Sequence, residues 1–338
     1  MRPDFRRLWE ELSSEHRAGG GWYTRRVYPK SPCAIFAALS GETFLPAFLV
    51  EVQASAIPAI PEYPSARGFD VAPLRVTPGR HGVVWLVLSL TVPQYAEVFE
   101  TLASDVAGAI ASAADDRAGV RTMLAHLRVW QEFMRRHGPE GLSTQEQTGL
   151  FSELFFLRRH ILPHLSAADA VRVWEGPYGG LHDFAAGRVA VEIKGTVAAT
   201  AAAFEASSLV QLDETQVGRL CLCHYSWHDG SATGETLPEL VDSIRESLAA
   251  EDATALARFN ESLLRSGYLD SQTSFYGTRR LEEARELLFE VREGFPRLRL
   301  RDVPAGIVDG SYTVELSACS GFGIDADDLT TMLVSDEP

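Results

Sequence analysis

Asp183, Glu192 and Lys194 are the residues of this chain whose types and spacing could do chemistry. They lie in the run Asp183-Phe184-Ala185-Ala186-Gly187-Arg188-Val189-Ala190-Val191-Glu192-Ile193-Lys194, which reads as a tight β-hairpin. Gly187-Arg188 suits a two-residue turn with glycine at the first central position. That turn pairs Ala186 with Val189, Ala185 with Ala190 and Phe184 with Val191, and it sets Asp183 opposite Glu192. Strand alternation then puts Glu192 and Lys194 on one face, and Val191 and Ile193 on the other. Like charges opposed across a strand pair, roughly 5 Å apart, destabilise a sheet by up to about 1 kcal/mol. A sequence that keeps such a pair has a use for something positive between them. A divalent metal is the obvious candidate, and hard oxygen ligands suit Mg2+, with Mn2+ as a substitute.

The base composition of the basic residues sharpens the point. Of 31 lysines and arginines only Lys30 and Lys194 are lysine. A chain that uses arginine almost everywhere has at position 194 a compact ammonium, able to hydrogen-bond a water and to titrate when partly buried, and chemically unlike a guanidinium fork.

These residues need elements to position them. The 338 residues are 46% hydrophobic and 23% charged, an ordinary globular composition with length for two or three domains. No apolar run reaches the 18 or so residues of a transmembrane helix, and the N-terminal residues lack the apolar core of a signal peptide. Cys33, Cys221, Cys223 and Cys319 include no C-x-x-C pair and read as buried free thiols. The expectation is a cytoplasmic protein away from membranes. A net charge of −15 argues against strong non-specific attraction to nucleic acid over the whole surface, though not against a local basic patch.

Residues 4–17 read as a helix. From 22 to 92 strand-like runs alternate with turn signals at 28–32, 60–64 and 77–79, which predicts a small antiparallel β domain. Residues 93–114 and 116–137 read as helices. Arg121, Arg128, Arg135 and Arg136 fall off the apolar stripe of the second, either as a solvated face or as one wall of a nucleic-acid cleft. Ser143 and Glu146 form a capping-box pattern that starts a new helix running to about 161. Glu153 sits among the apolar residues of that helix, an uncomfortable place for a charge unless it faces a polar cleft. A strand over 171–174, a glycine-rich loop at 176–180, the hairpin and an apolar strand over 218–227 follow. Two helices over 237–266 and a β-rich stretch over 286–319 complete the chain. The domains expected are 1–92 (β-rich), 93–141 (helical connector), 142–235 (core) and 236–338 (helical and β-rich extension).

The order of helix with Glu153, strand, strand with Asp183, strand with Glu192-Ile193-Lys194, connection and strand resembles the core of the PD-(D/E)XK nuclease superfamily. His182 stands where that pattern usually has proline. Leu181-His182-Asp183-Phe184, Val191-Glu192-Ile193-Lys194-Gly195 and Ser208-Leu209-Val210-Gln211-Leu212 are similar to a bacterial family of PD-(D/E)XK motif proteins, and the similarity extends to Phe295-Pro296-Arg297 and the 312–319 strand. The resemblance implies an α/β (overall α+β) fold with a restriction-endonuclease-like mixed-sheet core flanked by helices. It implies a Mg2+-dependent endonuclease that cuts DNA, within a restriction or phage-defence system. Asp183, Glu192 and Glu153 would then bind metal with the Ile193 carbonyl, and Lys194 would help to activate water. The alternatives are a catalytically silent nucleic-acid-binding or scaffold subunit, and an enzyme that cleaves RNA.

Other residues are open to two readings. His182 could touch a phosphate or base, or make a structural hydrogen bond; Gln211 could orient a water or contact nucleic acid, or simply pack. Arg128 and Arg135 are the candidates for a basic contact. His160 and His164 read as surface residues, because Pro163 breaks the helix between them, and His224 and His228 as unrelated strand-end residues. With no phosphate-cradling glycine motif, ATP-driven work would need a separate ATPase or other defence subunit. A homodimer is the remaining assembly in view.

Overall fold

The computed structural model describes residues 3–15, 20–58, 63–75, 82–198 and 200–335. The chain forms two compact units, Met1–Gly141 and Leu142–Pro338. The turn expected at 77–79, most of that at 60–64, and the last residues of the first helix lie outside the described residues.

In the first unit, helix α1 (Phe5–Ser14) starts at Asp4, whose carboxylate accepts the Arg7 N–H. Strands β1 (Trp22–Val27), β2 (Ala34–Ser40), β3 (Pro46–Gln53), β4 (Phe69–Leu74) and β5 (Val83–Leu90) follow. They make one antiparallel sheet in the order β1-β2-β3-β5-β4. The short spacings of this stretch allow little else, since parallel neighbours would need long crossovers. Helices α2 (Ala96–Ile110) and α3 (Asp116–Arg136) come next, α3 capped by Asp115 through the Ala118 N–H. Phe5, Trp9 and Phe48 are buried together, with Trp9 Nε1 donating to the Ala47 carbonyl at 3.1 Å. The helical residues after 93 thus belong to the same unit as the β-rich residues before them.

The second unit begins with α4 (Thr144–Phe156), whose N-terminus carries the full capping box of Ser143 and Glu146. The helix runs on as a π-turn over Leu157–Ile161, ending where the sequence predicts. Helix α5 (Ala167–Arg172), β6 (Phe184–Ala186), β7 (Val189–Val197), β8 (Ala203–Ala206), β9 (Arg219–Asp229), α6 (Leu237–Glu251), α7 (Ala253–Arg265), α8 (Thr273–Tyr276), β10 (Leu281–Glu290), β11 (Tyr312–Glu315) and α9 (Ala326–Ser335) follow. The strand expected over 171–174 is not there. Ser166 accepts the Asp169 N–H and nucleates α5, and only Trp174 makes an isolated bridge, to Phe184.

The central sheet runs β10-β9-β7-β6, with β7 and β9 parallel and the outer pairs antiparallel. A strand from the 236–338 stretch therefore completes the sheet that holds the hairpin, because the apolar β9 is buried only when paired on both sides. A separate pair, β8 and β11, lies within the same unit. Val191, Ile193, Cys221, Cys223, Tyr225 and Trp227 share one sheet face and a core with α4 and α6. Ala190, Leu220, Leu222 and Phe289 point the other way, into a second core with Phe204 and Leu212. All four cysteines are free and buried. Among the described residues no helix is long and apolar enough to cross a membrane.

Candidate active site

The hairpin has the register that its turn dictates. Phe184 pairs with Val191, Ala185 with Ala190 and Ala186 with Val189, and Gly187 takes φ of 58° in the turn, which only glycine adopts without strain. The ladder stops at Phe184. Asp183 is not a cross-strand partner of Glu192; its Oδ2 instead accepts the Ile193 N–H at 2.7 Å. Two carboxylates forced into direct opposition would repel, and the backbone hydrogen bond takes one of them out of the ladder.

Asp183 is set by the loop before it. The Asp183 carbonyl accepts the N–H groups of Glu175 and Gly176, and Ala185 N–H reaches the Val173 carbonyl at 2.8 Å. This loop also holds Trp174, fully buried, whose Nε1 donates to Glu153 Oε2 at 2.8 Å. The acid of α4 and the acid at the hairpin mouth are thereby brought to one place. A Cβ built on Gly176 would lie 3.2 Å from Glu153 Oε2 and 3.3 Å from Asp183 Oδ1. The hydrogen of this glycine faces a small space that both carboxylates border.

On β7, Glu192 is 2% exposed, and its Oε1 takes a hydrogen bond from Lys194 Nζ at 3.0 Å. Gln211 ties the two together. Its Nε2 donates to Glu192 Oε1, and its Oε1 accepts from Lys194 Nζ at 2.9 Å and from the Ser207 N–H at 2.8 Å. Gln211 was expected to orient a water, contact nucleic acid or simply pack; the structure ties it to Lys194, Glu192 and Ser207, an arrangement the sequence reading did not foresee. His182 is also turned inward. It is 5% exposed and touches the Gln211 backbone, its Nε2 has no partner, and burial lowers its pKa. So little surface leaves the ring nothing to offer a base or phosphate in this conformation.

The electrostatics bind the group into a unit. Burial raises the Asp183 carboxyl to about 6 against the pull of the Ile193 N–H and Lys194. Glu192 is raised well above the usual range by burial and then by Asp183, with Glu153 adding to it. Glu153 is raised likewise by burial and by Asp183. Three half-buried or buried carboxylates thus repel one another around a single ammonium. A cation is what such a cluster lacks.

The donor set fits a hard divalent ion of the Mg2+ type. Among the described residues no group of three or more His, Cys, Asp or Glu is disposed to hold a metal by itself. Mg2+ takes one or two carboxylates and keeps waters for its other positions, and the oxygens of Glu153 and Asp183 around Gly176 meet that demand. Gly176→Ala tests it. A methyl group there, 3.2 Å from Glu153 Oε2 and 3.3 Å from Asp183 Oδ1, presses on both carboxylates and fills the space between the acids. The variant is expected to lose about tenfold or more in affinity for Mn2+, measured by calorimetry, with its unfolding midpoint read alongside to separate a disturbed fold from a filled site. Unchanged affinity would place the ion elsewhere.

The arginines expected to contact nucleic acid lie in the first unit. Arg128 is exposed on α3, and Arg135 is paired with Glu132 at 2.6 Å. His160 is a correction: it is 4% exposed and bonds Glu286 Oε1 at 2.7 Å, because the π-turn carries it inward. His224 is another: it is fully buried in mid-strand beside Thr196. Trp174, Gly176 and Ser207 escaped the sequence reading. Only the glycine-rich run at 176–180 hinted at them, as a place where backbone passes close to something.

A mixed sheet flanked by helices, with an acid on the preceding helix, an acid at the hairpin mouth and an E-x-K on the next strand, defines an α/β nuclease-like fold of the restriction-endonuclease class. Residues 5–317 match the family described as "Putative PD-(D/E)XK family member" (DUF4420), and the chain belongs to that family. No curated protein and no solved structure matches it.

Proposed function

We propose that this protein is a divalent-metal-dependent endonuclease that hydrolyses DNA phosphodiester bonds, with Mg2+ or Mn2+, as a nuclease subunit of a bacterial restriction or phage-defence system. The observation that carries the reading is the convergence of Asp183, Glu153, Glu192 and Lys194 into one electrostatically coupled cluster in a chain of this family. Asp183, Glu153 and Glu192 would hold the ion, with the Ile193 carbonyl as a further oxygen. When bound, a divalent ion supplies Lewis acidity at a phosphoryl oxygen and lowers the pKa of water. Lys194, fixed by Glu192 and Gln211, hydrogen-bonds the attacking water and faces the negative charge that develops on the phosphoryl oxygens. Hydroxide adds to phosphorus in line as the P–O bond to the leaving strand breaks. The water's other proton ends on the leaving oxygen, giving one phosphate end and one hydroxyl end.

The net charge of −15 opposes unassisted capture of a polyanion and supports delivery of substrate by a partner such as an ATPase subunit. A silent binding subunit is the second reading. It is favoured by the lack, among the described residues, of three protein ligands already gathered for a metal.

Nicking of supercoiled plasmid, and cleavage of single-stranded DNA and RNA, with Mg2+ or Mn2+ test both readings. Lys194→Ala is expected to cost about 10²-fold in rate, the usual scale for a lost proton-handling group. Equal rates in wild type and Lys194→Ala would sink the proposed site. Cleavage of RNA alone would replace DNA as substrate, and no cleavage even with partner subunits would leave the silent reading.

A further inference from the structure

The first unit contains a cavity of about 750 Å³ that has no part in the chemistry above. That volume lies within the range of pockets for small organic ligands. Its walls are strongly basic for so acidic a chain: Arg67, Arg128, Arg135 and Arg136 line it against one carboxylate, Glu132. Three of these arginines come from one side of α3, at the spacing that puts side chains on a common face. Arg67 comes from the loop opposite. Gln131 Nε2 donates to the Ser65 carbonyl at 2.8 Å and Thr91 Oγ1 to the Arg67 carbonyl at 3.0 Å, so that loop is pinned and the opening has a set width.

The charges are not used up internally. Glu132 engages Arg135 at 2.6 Å and Arg136 at 2.5 Å. The guanidiniums of Arg67 and Arg128 have no ion-pair or hydrogen-bond partner among the described residues. Glu140 approaches only the rim, 3.6 Å from where a Cβ on Gly138 would stand, and does not line the cavity. Tyr95, largely buried, also lines the cavity.

We infer that this cavity is a binding site for a compact phosphate-bearing anion, held by the Arg67 and Arg128 forks. Planar guanidiniums grip phosphate oxygens in pairs, which explains arginine on both walls. A cavity of this size takes a free nucleotide or the phosphorylated end of a strand. Nothing in this assignment rests on the phosphodiesterase reading, and it is tested without metal.

The experiment is calorimetric titration of the full chain, in EDTA and low salt, with inorganic pyrophosphate, with ATP and with a short 5′-phosphorylated oligothymidylate. Pyrophosphate and ATP are expected to bind, and the double variant Arg67→Ala, Arg128→Ala to bind them about tenfold or more weakly. Both arginines are exposed, so an unchanged unfolding midpoint is expected and separates lost binding from lost fold. Oligothymidylate that competes with ATP identifies a strand end as the source of the phosphate; ATP binding without competition identifies a free nucleotide. Failure of all three probes to bind, or binding indifferent to the double variant, overturns the assignment.

Discussion

Asp183→Asn is expected to reduce metal-dependent cleavage by about 10³-fold or more and, at the same time, to stabilise the metal-free protein at neutral pH. Activity falls because the variant removes the charge that Glu153 and Glu192 share around the metal space. Stability rises because that charge has a cost in the folded state. Burial lifts the Asp183 carboxyl to about 6, from 3.8 in a free chain. The folded protein therefore binds this proton more tightly than the unfolded chain does. The stability it lends is complete below about pH 3.8 and is lost as the pH rises through 6, a loss of about 3 kcal/mol by pH 8.

Glu153 and Glu192 are shifted in the same direction, so the metal-free protein weakens on the alkaline side. Asparagine keeps an oxygen for the Ile193 N–H and has no charge to pay for. Buried His224, lowered to about 4, works in the opposite sense: its contribution is present above 6.5 and is lost as the pH falls through 4. Denaturant unfolding in EDTA, for wild type and variant, isolates the carboxyl. The gap between them should be near zero at pH 4 and approach 3 kcal/mol at pH 8, on the order expected from the shift. A gap independent of pH, or a variant that still cleaves, removes Asp183 from its proposed role.

Gly195→Ala is expected to destabilise the second unit by about 3 kcal/mol, lowering its unfolding midpoint by roughly 6–12 °C. A Cβ at this position would stand 2.0 Å from Ser152 Oγ, 3.1 Å from Ser152 Cβ and 3.2 Å from the Thr148 carbonyl. Ser152 has nowhere cheap to go. Its hydroxyl donates to the Thr148 carbonyl at 2.8 Å and accepts Trp227 Nε1 at 2.9 Å. Turning it away strands a buried indole N–H, and moving α4 off β7 carries Glu153 away from Asp183. Cleavage should fall with stability for that reason. Ser152→Gly in the same chain is expected to recover part of the loss, and Ser152→Ala less, since its Cβ remains. A Gly195→Ala protein that unfolds at the wild-type temperature would mean that α4 does not approach the strand this closely.

The hairpin was legible because everything that fixes it is local. Gly187 sets the turn, the turn sets the register, and alternation sends Glu192 and Lys194 to the same side. Helix α4 was legible for the same reason, through Ser143 and Glu146, and Glu153 drew notice as a charge in apolar company. Local signals misled where a neighbour outweighed them. Val171-Arg172-Val173-Trp174 looks like a strand, yet Ser166 caps a helix that runs into its first two residues. His160 read as a surface residue because Pro163 breaks the helix after it, yet it is buried and bonded to Glu286.

By itself the sequence determined the candidate side chains, two acids and a rare lysine on a hairpin and an acid on the helix before it, and the family to which the chain belongs. Tertiary structure alone decided how they meet. Trp174 reaches Glu153 across 21 positions, Gln211 reaches Glu192 across 19, and β10 returns from residue 281 to close the sheet. Backbone hydrogen bonds and turns are fixed by adjacent residues, so they can be read in chain order. A coupled cluster of carboxylates depends on burial and on distances between segments far apart in the chain, and those exist only once the sheet has formed.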